Sequence, residues 1–535
     1  MKRTPPPPAA RMAAILAVLA AALIPVPRAG TALLAQAPLD TLRTRAERTD
    51  YVETTRYAEA VAYLEAVAAA SPRAHLIPMG YTHEGRAIPL LVVGDVPDAS
   101  PAAVHASDRL RVYLQGNIHG GEVPGKEALL ALVRDLLSEP EPRWLDRLVL
   151  LVAPIYNADG NERVALTNRP RQNGPIGGMG QRPNAQGLDL NRDHMKLDSP
   201  EARSLAAMLT AYDPQVSVDL HTTNGTRHAY HLTYSPPLHP GTAEEIVALL
   251  RGEALPAITE RIRERDGWHF YYYGNAFARD GEQGWYTFDH RPRFNSNYLG
   301  LRNRVAILSE AYAYATFRDR VAATRRFVEE ILDWAAGSPD RIRAAIAAAE
   351  APVVGRELPV RATFQGTDAP VEILMGAVEE LRHPYTGETI LNRLPVVEPT
   401  LMREFGTFRG TDFETVPARY LLLPGAEAAE DRLRAHGVPL APLGEAGPLT
   451  VEVFRVDSTT VAERPFQGRR ERTVHGGWVE ATRTFPPGTL TVDVSHPLGR
   501  LAFYLLEPRS DDGLANWALL DEALDGGEYP IVRIR

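Results

Sequence analysis

The 535-residue sequence contains no cysteine. That absence excludes disulfide bonds, thiolate metal sites, a cysteine nucleophile and a lipid anchor on cysteine. The sequence also lacks a stripe of basic residues: the net charge is −9, and acidic and basic side chains are mixed along the chain. A nucleic-acid partner is therefore not expected, because binding to a phosphate backbone needs a basic patch.

Long apolar runs are also scarce. One stands out, MAAILAVLAAALI at residues 12–24, and it is shorter than the roughly 20 residues that a membrane span needs. It follows Lys2, Arg3 and Arg11, an arrangement typical of a secretory signal peptide. We therefore expect residues 1–37 to be a signal peptide and the protein to be secreted or periplasmic. An uncleaved membrane anchor is the alternative, and no other membrane span is expected.

The chain does contain a regular alternation of strand-like and helix-like segments up to about residue 345. Continuous or alternating apolar runs predict strands, whereas apolar residues at helical spacing predict helices. The predicted strands lie at 86–95, 110–117, 146–157, 214–221 and 303–314, and the predicted helices at 51–70, 123–139 and 319–337. This alternation predicts an α/β fold with helices on the faces of a β-sheet.

The character of the sequence changes near residue 350. Prolines and short β-like runs become frequent. A helix is predicted at 425–437, and strands are predicted at 449–456, 489–495 and 500–507. A chain of this length can form more than one core. We therefore expect a first domain over residues 38–345 and a β-rich C-terminal domain over residues 351–535. The sequence indicates neither the role of the second domain nor the oligomeric state.

Residues suited to metal binding lie at the ends of several predicted strands. His119 and Glu122 follow the strand 110–117, within QGNIHGGEVPGKEALL, and His221 ends the strand 214–221. Imidazole and carboxylate groups are zinc ligands, and a catalytic zinc commonly takes three protein ligands. Ligands bind at the carboxyl ends of strands in open α/β sheets, so this shared placement favours a site. We expect the glycines to let the backbone turn tightly enough for His119 and Glu122 to point at one ion. Alone, the His-x-x-Glu pair would also fit a surface turn with unrelated polar residues.

A carboxylate also ends the apolar strand 303–314. Burying Glu310 there costs free energy unless it is paired, bound to metal or facing a wet cleft. It is therefore a candidate general base, and a salt bridge to Arg302 or Arg304 is the alternative.

Asn191 and Arg192, in QGLDLNRDH, follow a loop rich in glycine, proline and asparagine at 166–187. The planar donor fork of an arginine suits a carboxylate. A structural ion pair with Asp193 or Asp198 would equally explain Arg192. A loop as long as this one is often functional.

Five motifs, in order along the chain, resemble the zinc carboxypeptidase family of carboxypeptidase A-like metallopeptidases. The motifs are NIHGGE, NADGNE, LDLNRD, DLHTTNG and ILSEAY, and the resemblance covers about residues 45–335. It implies a carboxypeptidase-like mixed β-sheet with helices on both faces. It also implies one Zn²⁺ ion held by His119, Glu122 and His221, and a peptide substrate with a free C-terminal carboxylate.

The resemblance implies roles for further residues. Glu310 looks like the general base, and Asn191 and Arg192 look like the pair that binds the terminal carboxylate. Asp189 looks like the partner that orients the imidazole of His119.

Two further positions implied by the resemblance have alternatives. An arginine that stabilises the oxyanion should lie in the loop before LDLNRD, where Arg171 is preferred and Arg169 is the alternative. A mobile tyrosine should precede the catalytic glutamate by about two dozen residues. Tyr286 lies nearest that position, and Tyr298 is the alternative.

We therefore expect an exported zinc metallocarboxypeptidase that hydrolyses C-terminal peptide bonds with a zinc-activated water and a glutamate general base. A cell-wall peptide amidase or deacylase on the same scaffold is the alternative. A binding protein without turnover is disfavoured, because a mere zinc site needs neither Glu310 nor Arg192. The sequence does not identify the residue that sets the preference for a substrate side chain.

Overall fold

The computed structural model describes residues 38–223, 225–279, 281–444, 447–525 and 527–535. The predicted signal peptide, residues 1–37, lies outside the described residues. Within the described ranges, no helix is both long and apolar enough to cross a membrane.

An eight-stranded mixed β-sheet occupies the centre of the first half of the chain. The strands of this half are β1 (Ala74–Tyr81), β2 (Ala87–Val93), β3 (Leu110–Gly116), β4 (Leu148–Ala153), β5 (Val216–Thr222), β6 (Leu232–Ser235), β7 (Phe270–Tyr272), β8 (Asn275–Arg279), β9 (Glu282–Tyr286) and β10 (Val305–Ala311). The sheet has the order β1-β2-β4-β3-β5-β10-β6-β7, and β8 and β9 form a separate hairpin.

The four central strands of the sheet are parallel. β3 pairs with β4 and with β5, and β5 pairs with β10. Almost every residue of these strands is buried, as expected for parallel strands covered on both faces. Because their directions agree, their carboxyl ends meet at one edge of the sheet, where ligands bind in folds of this kind.

Helices cover both faces of the sheet. Alternate residues of β4 pack into two different hydrophobic clusters, Leu148 and Leu150 in one and Val149 and Leu151 in the other. The α-helices of this half are Arg45–Arg48, Tyr57–Ala70, Pro101–His105, Pro124–Ser138, Ala158–Glu162, Pro200–Tyr212, Glu244–Val247, Leu255–Asp266, Asn295–Leu301, Phe317–Gly337 and Pro339–Ala349. Short 3-10 helices lie at Leu39–Thr41 and Leu190–Arg192, and a π-helical segment lies at Ala248–Ala254. The predicted α/β class with helices on both faces is thereby confirmed.

The C-terminal part of the chain is rich in β-structure, as predicted. Its strands are β11 (Glu357–Gln365), β12 (Val371–Met375), β13 (Val378–Arg382), β14 (Thr389–Arg393), β15 (Glu398–Phe405), β16 (Thr407–Thr415), β17 (Arg419–Leu422), β18 (Ala441–Pro442), β19 (Gly447–Val461), β20 (Arg472–Phe485), β21 (Leu490–Asp493) and β22 (Ile531–Ile534). Its helices are Glu427–Ala435, Gly499–Leu506 and Asp521–Asp525.

One predicted element in this part is wrong. Residues 500–507 were expected to form a strand, yet the structure has the helix Gly499–Leu506. Every residue of that helix is buried. A segment buried on all sides is apolar throughout and therefore shows neither helical nor strand periodicity.

The two parts of the chain share strands and core. β15 pairs in parallel with β9, so one small sheet contains strands from both parts. The hydrophobic cluster on one face of the main sheet also contains Leu501 and Tyr504 of the helix Gly499–Leu506. The boundaries at 38–345 and 351–535 stay a prediction.

Candidate metal centre and active site

The segment after β3 turns sharply and then enters the helix Pro124–Ser138. Asn117 takes a left-handed backbone conformation with φ 64°, and its side-chain amide donates to the carbonyl oxygens of His119 and Gly120, each at 3.2 Å. Gly120 itself is not left-handed. It is needed because a Cβ there would overlap the backbone of Gly160. The predicted reason for the glycines is thus corrected: close packing requires Gly120, and Asn117 makes the bend.

This bend brings His119 and Glu122 next to His221, near the end of β5. The Nδ1 atom of His119 lies 3.0 Å from Oε1 of Glu122, and Nδ1 of His221 lies 2.9 Å from Oε2. One ligand atom from each of the three residues falls within 4.8 Å of the others, and all three side chains are buried. The geometry brings the three predicted ligands together.

Each histidine is oriented by a carboxylate on its other ring nitrogen. Nε2 of His119 lies 3.0 Å from Oδ1 of Asp189, and Nε2 of His221 lies 2.7 Å from Oδ2 of Asp219. Such a partner fixes the tautomer and leaves the opposite nitrogen free to bind a cation. Sequence reasoning identified Asp189 and missed Asp219. The sequence did allow Asp219 to be found. Residues two apart on a strand share a face, and Asp219 and His221 are both in β5.

The donor set suits one zinc ion. Nδ1 of His119 is buried and forms no hydrogen bond with any residue that the structure describes, although it lies 3.0 Å from Glu122. Two imidazole nitrogens and one carboxylate are a common ligand set of catalytic zinc, with a further position left for water or substrate. His119, Glu122 and His221 therefore fit a zinc ion.

The charges around the three ligands decide the protonation of Glu122 and His221. Burial alone would raise the pKa of Glu122, but the Arg169 guanidinium and the His119 imidazole outweigh it and hold that pKa well below its usual range. Burial would lower the pKa of His221, yet Asp219 and Glu122 keep it well above its usual value. A cation binding at Nδ1 of His221 must therefore displace a proton, so binding should strengthen as the pH rises.

A comparison with protein families finds a match to the region that contains the metal-site residues. The family model described as zinc carboxypeptidase matches residues 60–288, a span that contains all three metal-site residues. Residues 60–288 thus match a zinc carboxypeptidase domain. The enzyme class that follows is a zinc-dependent peptide hydrolase.

Curated relatives match most of the length of this chain. Carboxypeptidase 2 of Trichophyton equinum is 24% identical over 499 residues, which is 85% of this chain and 81% of that protein. Carboxypeptidase 2 of Trichophyton rubrum is 25% identical over 502 residues, with the same shares covered. These alignments span more residues than the predicted catalytic domain, so the likeness extends into the C-terminal part.

Among solved structures, the metallo-carboxypeptidase from Burkholderia cenocepacia is similar over 52% of this chain and 68% of that chain. Its TM-score is 0.39 and its sequence identity is 18%.

Glu310 of the carboxypeptidase domain lies beside the metal site. In the parallel pairing of β10 with β5, Glu310 is the direct partner of His221. Its Oε2 atom is buried and accepts no hydrogen bond from any described residue. Burial raises the pKa of Glu310 to about 8, opposed by the charge of His221 and assisted by that of Glu122.

The alternative of a salt bridge between Glu310 and a neighbouring arginine is not what the structure shows. Arg304 pairs with Asp213 and Glu350, and Arg302 donates to the carbonyl of His436.

A cavity of about 770 Å³ opens over these groups. Seven of the residues predicted from the sequence border it: His119, Glu122, Asp189, Asn191, Arg192, His221 and Glu310. Arg171 and Tyr286 do not.

The loop arginines differ from the expected arrangement. Arg171 lies away from the metal site, where its carbonyl accepts from the backbone N–H of Leu391 at 2.9 Å. Arg169 places Nη2 2.7 Å from Oε1 of Glu122. Arg182, which sequence reasoning did not consider, places Nη2 2.8 Å from Oδ2 of Asp189 and also borders the cavity. The signal for Arg182 was its position in the same loop, directly before the LDLNRD motif.

The tyrosine at the cavity also differs from the expected one. Tyr286 is buried and stacks on Phe405, with ring centroids 4.2 Å apart. Tyr298, the alternative, is buried against His436. Tyr273 borders the cavity instead. The hairpin β8–β9 and the helix Asn295–Leu301 lie between Tyr273 and β10, so Tyr273 precedes Glu310 by more residues than the sequence spacing led us to expect.

Asn191 and Arg192 are held at the same cavity. The Asn191 side-chain oxygen accepts from the backbone N–H of Asn295 at 2.8 Å. The Arg192 guanidinium stacks 3.8 Å above the ring of Phe294, and it lies 3.9 Å from the nearest Asp189 oxygen. The expected alternative partners of Arg192 bind other cations: Asp193 pairs with Lys196 and Asp198 pairs with Arg469.

Proposed function

We propose that this chain is an exported zinc metallocarboxypeptidase that removes the C-terminal residue of peptides, with Glu310 as the general base. The observation that carries the proposal is the placement of Arg192 and Glu310 on one cavity with the metal-site residues. Export rests on the signal-like sequence of residues 1–37.

The guanidinium of Arg192 recognises the C-terminal end of a peptide. Its guanidinium is positioned by the Phe294 ring and by its own bond to the carbonyl of Asn191 at 2.7 Å. The remaining N–H groups can bind the terminal carboxylate of a peptide in a bidentate, charge-assisted contact. Binding there places the last peptide bond, rather than an internal one, at the metal site.

Residues of this chain transfer the proton of the attacking water and stabilise the negative charge on the carbonyl oxygen. Zinc, when bound, supplies a Lewis acid that polarises the scissile carbonyl and favours ionisation of water. Glu310 accepts the proton of the attacking water and delivers it to the nitrogen of the leaving amino acid as the C–N bond breaks. Arg182 donates to the carbonyl oxygen as negative charge develops on that atom. Tyr273 borders the same space and contacts the bound peptide.

The test compares a blocked dipeptide with its C-terminal amide. The wild type should cleave the free acid and leave the amide intact. Arg192→Ala should lose activity on the free acid by about 30- to 4000-fold, since leaving a desolvated charge unpaired costs roughly 2–5 kcal/mol. Arg171→Ala, which removes an arginine of the same region outside the cavity, should behave like the wild type.

Two results would overturn the proposal. Equal cleavage of acid and amide by the wild type would remove the exopeptidase assignment while leaving the metal site intact. Cleavage of cell-wall peptides with no cleavage of simple peptides would support the amidase alternative.

A further inference from the structure

A tight turn joins the long strands β19 and β20 of the C-terminal part. The backbone N–H of Phe466 donates to the carbonyl of Arg469 at 2.7 Å, and the reverse bond measures 3.0 Å. The two residues between them, Gln467 and Gly468, both have positive φ, at 49° and 81°. Two-residue hairpin turns with positive φ at both positions are rigid and match the twist of the strands.

This turn is fastened to the catalytic domain at two points. The side-chain oxygen of Gln467 accepts from the backbone N–H of Asp189 at 2.7 Å. The guanidinium of Arg469 binds both oxygens of Asp198, at 2.7 and 2.8 Å. Asp189 itself orients the metal-site residue His119, so the turn is held beside the reacting centre.

The turn also forms part of the cavity wall. Phe466 and Gln467 border the same cavity as Arg192, Phe288 and Phe294. The rings of Phe288 and Phe294 lie 5.1 Å apart, and Phe466 is 36% exposed, so its ring retains surface that a ligand can cover. The cavity that Arg192 borders is thus lined by aromatic side chains from both parts of the chain.

The acidic side chains of the cavity are concentrated at the metal site and not on its aromatic side. The acidic side chains that border the cavity are Glu122, Asp189, Asp219 and Glu310. All four belong to the metal site. Asp189 and Asp219 orient its two histidines, and Glu122 lies against both histidines. Glu310 is the strand partner of His221. Among the described residues that border the cavity, no other acidic side chain is present to pair with a lysine or arginine side chain of a substrate.

We propose that Phe466, together with Phe288 and Phe294, receives the side chain of the peptide's C-terminal residue and selects large apolar or aromatic residues there. A residue of the C-terminal part thereby sets substrate preference for the catalytic domain. This inference rests on the proposed carboxypeptidase function, because Arg192 must hold the adjacent carboxylate.

The experiment measures kcat and KM on three blocked dipeptides that differ in the last residue: phenylalanine, alanine or lysine. The wild type should favour phenylalanine over alanine and lysine. Phe466→Ala should lower kcat/KM for the phenylalanine peptide about twofold to twelvefold, mainly through KM, since an aromatic contact contributes about 0.5–1.5 kcal/mol beyond its buried area. The alanine peptide should change less than twofold, because its side chain does not reach the ring.

Two variants separate this role from a general effect on the fold. Phe466→Leu keeps an apolar wall and should retain most of the preference for phenylalanine. Phe413→Ala removes a similarly exposed phenylalanine of the C-terminal part that does not border the cavity, and it should leave all three rates unchanged.

The outcomes distinguish the inference from the function on which it rests. No cleavage of any dipeptide by the wild type would reject the carboxypeptidase function. Cleavage of all three with equal losses in Phe466→Ala, or with no loss, would reject the role of Phe466 alone. A wild-type preference for lysine would also reject it.

Discussion

Asp219 and Asp189 show how single residues build the metal site. Each accepts a hydrogen bond from Nε2 of one histidine, so that Nδ1 of both rings points toward Glu122. Partners of this kind typically change metal affinity by 10–100-fold when removed. The zinc affinity of this chain should therefore depend on residues that do not touch the ion.

A graded loss of zinc affinity tests this assignment. His221→Ala should abolish stoichiometric zinc binding, because two ligands remain, and Asp219→Ala should weaken it about 10–100-fold. Competition with a chromophoric chelator measures both. His105→Ala, which alters an exposed histidine far from the cavity, is the control. Undiminished affinity in His221→Ala would contradict the ligand assignment.

A second prediction at this scale concerns the proton carrier. Glu310→Gln should keep the zinc content and the thermal midpoint while lowering kcat by about 10²–10⁴-fold, because the amide cannot accept a proton. Steady-state rates and metal analysis of the same preparation measure both quantities. A kcat near that of the wild type would place the base on another residue.

Among the structural elements, the loop between the helix Ala158–Glu162 and Asp189 brings Arg169 and Arg182 to the cavity and leaves Arg163 and Arg171 outside it. Arg182 lies against Asp189, whereas Arg171 joins the strand β14 through backbone hydrogen bonds. Arg182→Ala should lower kcat by about 10²–10³-fold with zinc retained, as expected for loss of a donor to an oxyanion. Arg171→Ala should leave kcat within about twofold. The reverse ranking in steady-state assays would restore the assignment made from the sequence.

Elements with clear periodicity were predictable, and those defined by tertiary contacts were not. The helix Pro124–Ser138 and strands β3, β5 and β10 lie within one to three residues of their predicted limits, because each alternates or repeats apolar residues regularly. The helix Gly499–Leu506 was mistaken for a strand because burial on all sides removes that periodicity.

The same distinction applies to the site. His119, His221 and Glu310 were predictable because parallel strands end at one edge of a sheet. Tyr273 and Arg182 were not, since Tyr273 is separated from β10 by the hairpin β8–β9 and Arg182 lies in an irregular loop. Phe466 reaches the cavity only through the docking of the C-terminal part, which leaves no local trace in the sequence.

At the scale of the whole molecule, the C-terminal part is fastened to the catalytic domain by a charged cluster as well as by shared core. Asp198 binds Arg469 from the turn and Arg432 from the helix Glu427–Ala435, the latter at 3.0 Å, with Lys196 3.4 Å away. Burial would raise the pKa of Asp198, but these cations lower it from 3.8 to about 2.

This depressed pKa predicts a dependence of stability on pH. A carboxylate with a lowered pKa stabilises the folded state fully above its unfolded pKa of 3.8, and that stability is lost as the pH falls through about 2. At neutral pH, Asp198→Asn should cost about 2 kcal/mol and lower the thermal midpoint. The difference from the wild type should shrink between pH 4 and pH 2. A difference that stays constant over that range would contradict the role of the cluster.

We propose that the metal-dependent site removes residues from free peptide C-termini. Mass spectrometry of a mixed peptide pool, with each sequence present as the free acid and as the amide, tests this proposal. We expect stepwise loss of C-terminal residues from the acids alone, complete inhibition by a chelator, and recovery on adding zinc. Internal cleavage, equal loss from the amides, or activity that a chelator leaves unchanged would contradict it.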